Sequence, residues 1–313
     1  MKAWQYVADG LPITLNDVAE PTPGPREVVL AVKAAGICHT DVSFLDGAMS
    51  AHIPHTPMTL GHEVAGVIAE LGPGVEGFAI GDRVAVRADR YGIGAGRDGG
   101  FQPRVATSTE FLVPVPEAVA WDQAAVSTDA GGTAYRAITT QGRVRAGTSV
   151  GIIGYGGLGS LGARLAILKG ARVFVAETNT GLHQSIMEQG ASAVTTDVRE
   201  LARHGLDVIV DFAGYGSTTA AAVESVRPGG RVVQVGLTVV EGTLNLQILT
   251  MNEVELVGSL GGSNDDNAQV LKLMAEGRLR PQTVGIEFSK VGEALRTLQE
   301  GGTTGRFVVL YDD

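Results

Sequence analysis

The sequence carries a single cysteine in 313 residues, Cys38. One thiol cannot close an intramolecular disulfide, and it cannot build a four-cysteine structural zinc site. Such poverty fits a reducing, intracellular setting. Basic residues are also short, with 24 Lys and Arg against 34 Asp and Glu and a net charge of −10; the pI is near 5.1. That balance argues against nucleic acid or an anionic membrane as partner and leaves small molecules and other proteins. No uncharged apolar run reaches the ~18 residues of a membrane span. The opening residues, Met1–Tyr6, read as a strand and lack the apolar centre of a signal peptide. A soluble, cytoplasmic protein is expected.

Glycine is what the chain has in excess, with 44 residues against ~7% in ordinary sequences. The glycines follow no fixed period, which excludes collagen-like and solenoid repeats. They read instead as tight turns and close backbone approaches. Hydrophobic residues at 44% and a mean hydropathy of +0.15 promise a well-filled core. The length suffices for two modest domains or one large one.

Up to about residue 125 the chain reads as short strands between Gly/Pro turns, among them 28–34, 64–71 and 81–86. Residues 88–100 hold little that could form a core and read as an exposed loop. A helix-like run over 122–141 follows. Strand signals at 149–153, 172–176, 207–211, 231–235 and 254–258 then alternate with helical ones at 158–169, 181–189 and 218–226. That alternation predicts a parallel sheet with helices on both faces. The tail offers helices at 268–276 and 291–300 and strands at 284–288 and 307–311, read as returning to the first domain.

Gly154-Tyr155-Gly156-Gly157-Leu158-Gly159 follows a predicted strand and opens a predicted helix. In that context the pattern is a dinucleotide fingerprint. Gly154 permits the turn, Gly156 lets backbone approach a pyrophosphate, and Gly159 allows close helix–strand packing. The phosphates would sit at the helix N-terminus, where free N–H groups and the dipole favour an anion. Glu177, at the end of the next strand, can accept from both ribose hydroxyls and would repel a 2′-phosphate. Thr178–Gly181 bring no Lys or Arg to neutralise one. NAD is favoured over NADP.

Cys38, His39 and Asp41 lie within Gly36–Asp41, and His62-Glu63 follows Gly61. A thiolate, an imidazole and nearby acids are the ingredients of an open zinc site, with three protein ligands and one free position. Thiolate with imidazole and carboxylate suits zinc better than Mg²⁺ or Ca²⁺. Read singly, each residue has a plainer meaning. Cys38 is then a small buried hydrophobe, His62 a satisfied polar group, and Asp129 or Thr40 a helix cap. His52 and His55 read as loop residues.

Taken together, Gly36–Asp41, Gly61–Glu63, Thr128–Gly131, the glycine fingerprint and Gly305-Arg306 resemble the zinc alcohol dehydrogenases of the medium-chain dehydrogenase/reductase superfamily. The likeness in order and spacing runs over nearly the whole chain. It implies an α/β protein with a GroES-like, mostly-β catalytic domain (1–126 and 262–313) and a Rossmann doubly wound parallel-sheet domain (127–261). Carried over residue by residue, it implies Cys38, His62 and Asp129 as zinc ligands and Glu63 as the acid that approaches the metal during ligand exchange. It implies Asp41 as the carboxylate orienting His62, Thr40 as the hydroxyl that begins proton transfer, and His39 and Arg306 at the cofactor pyrophosphate. The reaction implied is hydride transfer between NAD and an alcohol, aldehyde or ketone, in a homodimer or homotetramer. Phe44, Leu45 and Met49 suggest an apolar substrate pocket, with residues near 52–58, 88–100 and 258–264 contributing.

The chain departs from that pattern twice. Many relatives carry a four-cysteine lobe where Ala88–Gly100 stands, so one catalytic zinc and no structural zinc are expected. Some relatives place a relay histidine where Ser43 stands, so Ser43 with water, or another route, completes proton release. Two other readings remain: a zinc-free quinone or enoyl reductase using NADPH, and a nucleotide-binding scaffold without catalysis.

Overall fold

The central strands of both large sheets are short apolar runs buried at most positions. In this computed structural model, which describes residues 1–301 and 305–311, the chain divides into two compact units. One comprises 1–132 with 262–313, the other 133–261. Residues 302–304 and 312–313 of the expected first domain lie outside the described residues.

The first unit is built on the strand Glu27–Gly36, whose inward positions are fully buried. It pairs antiparallel with Glu63–Leu71, with Val28 opposite Leu71 and Gly36 opposite Glu63. On its other side the tail strand Arg306–Leu310 pairs antiparallel, with Val308 opposite Gly36. These two registers position the site. They bring the residues just past Gly36 beside the turn before Glu63 and beside the start of the tail strand. Arg83–Val86, Leu112–Pro114, Arg104–Ser108 and Thr283–Glu287 complete a seven-stranded sheet, while Lys2–Tyr6 anchors a small three-stranded one. Leu30, Ile37, Phe44, Leu60, Ile68 and Phe101 form the centre of the core.

Residues 88–100 are not the exposed loop their composition suggests. Ile93 is 1% exposed, and the N–H groups of Gly99 and Gly100 donate to the carbonyls of Thr59 and Gly61 at 2.8 and 2.7 Å. A Cβ on Gly99 would stand 2.4 Å from the Gly61 oxygen. Glycine here serves backbone-on-backbone packing rather than exposure. The Arg97–Glu27 ion pair at 2.6 Å and the Thr59 N–H donated to Asp98 at 2.7 Å fasten the segment down.

The second unit is a six-stranded, all-parallel sheet in the order Ala193–Thr195, Arg172–Ala176, Ser149–Ile153, Val208–Asp211, Arg231–Gln234, Glu255–Gly258. Five of these follow from the sequence. Ala193–Thr195 does not, because three half-buried residues leave no periodic signal. The order reverses beside Ser149–Ile153, which creates the switch point where doubly wound sheets bind ligands. That central strand is buried at every position.

The helical run expected over 122–141 is present but uneven. Trp121–Val126 is α-helical, Ser127–Gly131 widens into a π turn, Gly132–Arg136 returns to α, and Ala137–Gln141 widens again. The boundary between the two units falls inside this run, at Gly132. Among the described residues no helix is long and apolar enough to cross a membrane.

Candidate active site

Cys38 follows the buried strand Glu27–Gly36 and caps the short helix His39–Leu45. Its N–H donates to Asp41 Oδ2 at 2.9 Å, and the Gly61 N–H donates to Asp41 Oδ1 at 3.2 Å. The fully buried Asp41 thus ties the Cys38 turn to the His62 turn. Neither Thr40 nor Asp129 occupies a cap position. Gly61 has φ +93°, and a Cβ there would meet the Phe101 ring at 2.6 Å. Only glycine accepts both conditions.

Four possible ligand atoms, from Cys38, His62, Glu63 and Asp129, lie within 4.8 Å of one another. Asp129 Oδ2 is 3.5 Å from Cys38 Sγ and 3.6 Å from His62 Nε2. Tetrahedral zinc with bonds of about 2.0–2.3 Å sets such atoms about 3.4–3.6 Å apart. The donor set therefore fits zinc. On its other edge, His62 Nδ1 stands 3.3 Å from Asp41 Oδ1, the placement of a carboxylate that fixes a ligating ring.

Asp129 comes from the π turn, a feature that often accompanies function. The buried Asn267 side chain braces this turn by binding two of its carbonyls. Its Nδ2 donates to Thr128 O at 2.9 Å and to Ser127 O at 3.3 Å. Asn267 was not identifiable from the sequence, since an isolated amide in the tail helix carries no motif.

Glu63 accepts from Arg306 at 2.5 Å through Oε1, while its buried Oε2 has no hydrogen-bond partner. A Cβ on Gly36 would lie 2.0 Å from that oxygen, so the glycine makes room for the acid. Arg306 also stands 3.6 Å from Asp129 Oδ2. Expected at the cofactor phosphates, its guanidinium is engaged with the acids of the cluster and is 6% exposed. Register explains this: Arg306 is two residues before Val308, which faces Gly36, and so lies across from Cys38.

Electrostatics follows from crowding. Burial pushes the Glu63 carboxyl up to about 7, against the pull of Arg306. Burial also disfavours charge on Asp129, but the His62 ring and Arg306 overcome it and hold that carboxyl well below its ordinary range. For His62, burial is outweighed by Asp41 and Asp129, which raise the imidazole well above its usual value. Two carboxyls, of Glu63 and Asp129, meet at Arg306, while the buried Asp41 faces His62, so acids outnumber the fixed cation of the cluster. A divalent cation would offset that excess.

Thr40 is half-buried, with its hydroxyl 3.7 Å from Cys38 Sγ. Ser43 lies three residues on in the same helix and is also half-buried. His39 is exposed; desolvation and the Arg306 charge hold its imidazole below the ordinary range. Phe44, expected in an open apolar pocket, is 1% exposed and belongs to the core, against which Leu45 and Met49 also pack. Its helix buries the Asp41, Val42, Phe44 face.

In the second unit, Gly154 turns with φ +82° and Gly156 caps the helix Gly157–Leu168. A Cβ on Gly159 would stand 1.9 Å from the Gly154 oxygen. A Cβ on Gly156 would meet nothing within 4 Å, so its smallness leaves open space above the helix start. Leu158 and Gly157 form the half-buried first turn. Glu177 accepts the Tyr155 N–H and the Asn179 N–H, each at 2.7 Å. Its carboxylate therefore also shapes the loop that would hold the cofactor.

Residues 24–117 match the alcohol dehydrogenase GroES-like domain, and residues 157–276 match the zinc-binding dehydrogenase family. An alcohol dehydrogenase of Geobacillus stearothermophilus is 27% identical over 328 residues, covering 96% of this chain and 97% of the relative. The acetophenone reductase of Geotrichum candidum, solved in complex with NAD, is 29% identical with a TM-score of 0.91, over 99% of this chain and 97% of that one. The structure of AibC is similar at 29% identity and a TM-score of 0.90, over 100% of this chain and 96% of that one. Matched in both units and along nearly its whole length, the protein belongs to the zinc-type medium-chain dehydrogenase/reductase family, with a GroES-like and a Rossmann domain, and is an oxidoreductase.

Proposed function

We propose that the protein is a zinc- and NAD-dependent alcohol dehydrogenase or carbonyl reductase. The observation that carries this reading is the spacing of Cys38 Sγ, His62 Nε2 and Asp129 Oδ2, at 3.5 and 3.6 Å about the shared carboxylate oxygen. Cys38, His62 and Asp129 would hold one catalytic zinc, and no second cysteine exists for a structural one. When bound, zinc supplies a Lewis acid for the substrate oxygen and the nicotinamide supplies a hydride donor or acceptor.

The chain's own residues do the rest. Asp41, 3.3 Å from the far nitrogen of the His62 ring, orients it by charge. Thr40, beside Cys38, positions the substrate hydroxyl and takes its proton at Oγ1. Ser43, three residues along, passes it outward with water. Glu63 keeps one free oxygen facing the cluster, which suits a group that approaches the metal while ligands exchange. The exposed His39 would balance the cofactor's phosphates, while Arg306 neutralises Glu63. Gly154, Gly156, Gly157, Leu158 and Gly159 receive the pyrophosphate at the helix start. Glu177 accepts from the ribose hydroxyls and repels a 2′-phosphate, which favours NAD.

The proposed substrate is a hydrophobic alcohol, aldehyde or ketone. The acetophenone reductase likeness supports an aryl ketone as the first compound to try. The outer edge of Glu255–Gly258, with Leu256 and Leu260 at 36% and 69% exposure, suits pairing with a second copy in a homodimer or homotetramer.

Elemental analysis of wild type and Cys38→Ala is the test. The expected result is about one zinc per chain, lost in the variant, with NADH binding retained in both. A metal-free wild type that binds NADPH and reduces enones would overturn the zinc reading.

A further inference from the structure

We infer that the second unit carries an anion site at the end of its sheet opposite the glycine fingerprint, built to take a small organic bisphosphate. The fingerprint follows the C-terminal end of Ser149–Ile153. At the other end of the sheet, a cleft of about 450 Å³ opens around the starts of four strands, lined by Arg143, Arg145, Arg227, Arg231, Asp207 and Glu255. Its size is that of small-molecule sites, ~300–1,000 Å³.

Charge sets this cleft apart. Four arginines face two acids, so the lining keeps a formal +2 within a chain of net −10. The acids are already occupied in holding two of the arginines. Asp207 Oδ1 accepts from Arg227 Nε at 2.7 Å, and its Oδ2 accepts the Ser149 N–H at 2.8 Å. Arg231 pairs with Glu255 and donates to Gln141 O at 3.1 Å. Arg143 and Arg145 are exposed, and among the described residues neither guanidinium has a hydrogen-bond or ion-pair partner. Two fixed and two uncommitted guanidinium groups around one cleft make a clamp for anionic oxygens. The planar fork matches phosphate geometry, and a cleft of one sign concentrates counter-charge.

Backbone geometry points the same way. Arg143 sits at φ +52°, a left-handed conformation that disfavours a long side chain. Glycine precedes it, at 142, but does not occupy the strained position. The strain is tolerated where it sets a guanidinium at the cleft mouth. Asp207 and Glu255 have lone pairs left for hydroxyls, so the ligand class is a hydroxyl-bearing bisphosphate rather than bare phosphate. Its two phosphates would span the Arg143–Arg145 and Arg227–Arg231 pairs.

Isothermal titration of the zinc-loaded protein, saturated with NADH to close the cofactor site, with fructose 1,6-bisphosphate tests the assignment. One saturable site per chain is expected, with unphosphorylated fructose giving no heat. The double variant Arg143→Gly/Arg145→Ser should weaken binding at least about tenfold. It should keep NADH affinity and melt no lower than wild type, because glycine relaxes position 143. Arg199→Ser/Arg278→Ser, which removes the same charge elsewhere, should stay within about twofold of wild type. No saturable binding, unchanged affinity in the first variant, or equal losses in both variants would each overturn the site.

Discussion

The candidate metal cluster of the first unit and the glycine fingerprint of the second are built by opposite means. The fingerprint is local. Strand, turn, helix start and the Glu177 acid all fall between residues 149 and 179, and its contacts are made largely by backbone. The metal cluster draws Cys38, His62, Asp129 and Arg306 from four distant stretches, and its contacts are charged side chains in a buried setting. Local backbone sites tolerate surface change but not added volume at the turn. Register-built charged sites depend on every strand that delivers a group, and they lose most when one charge is left alone.

One tightly packed glycine in each site gives the sharpest way to separate them. Gly159→Ala places a methyl 1.9 Å from a backbone oxygen, whereas Gly36→Ala places one 2.0 Å from a carboxylate side chain. Backbone cannot yield as a side chain can, so the Gly159 change is the larger. A fall of about 100-fold in kcat/KM is expected from misplacing the cofactor turn, with zinc content unchanged. Gly36→Ala should displace Glu63 from Arg306, lower zinc retention, and destabilise the fold by about 1–3 kcal/mol, leaving NADH affinity intact. Zinc analysis and NADH titration on both variants check this. Loss of both ligands from either variant would contradict the separation.

The same contrast explains what the sequence makes legible. The alternation from 149 to 258 exposes the parallel sheet because each buried strand is a short apolar run bounded by turns. The fingerprint is legible for the same local reason. Pairing Glu63 with Arg306 is not, since it arises from two antiparallel registers about Glu27–Gly36, and register leaves no mark on composition. Asp129 is identified through family resemblance, while the π turn that presents it and the Asn267 amide that supports it have no sequence signal. Residues 88–100 read as exposed because they hold little core-forming content, whereas glycine there allows one backbone to lie on another.

Asp41→Asn addresses the metal side at lower amplitude. The amide keeps the shape and can still accept one of the two N–H bonds from Cys38 and Gly61. It removes the charge facing His62 Nδ1. Outer-sphere changes of this kind weaken metal binding by roughly 10–100-fold, so competition with a zinc chelator should show a loss in that range. Circular dichroism should stay native. Unchanged zinc affinity would mean that the Cys38 and Gly61 tethers alone orient the ring.

The smallest effect is expected on the nucleotide side, from Glu177→Gln. Glu177 performs two tasks, accepting the Tyr155 and Asn179 N–H groups and presenting negative charge where a 2′-phosphate would fall. Glutamine keeps one acceptor oxygen, so loop order weakens by about 1 kcal/mol, and both cofactors should bind less well for that reason. The charge acts on only one of them. A repulsion of about 1–2 kcal/mol at a half-exposed site should disappear for NADPH alone, so the NADH/NADPH affinity ratio should fall about tenfold. Taking the ratio cancels the shared loop effect and isolates the electrostatic one. An unchanged ratio, with both affinities reduced, would make Glu177 a loop-shaping residue and remove the charge argument for NAD.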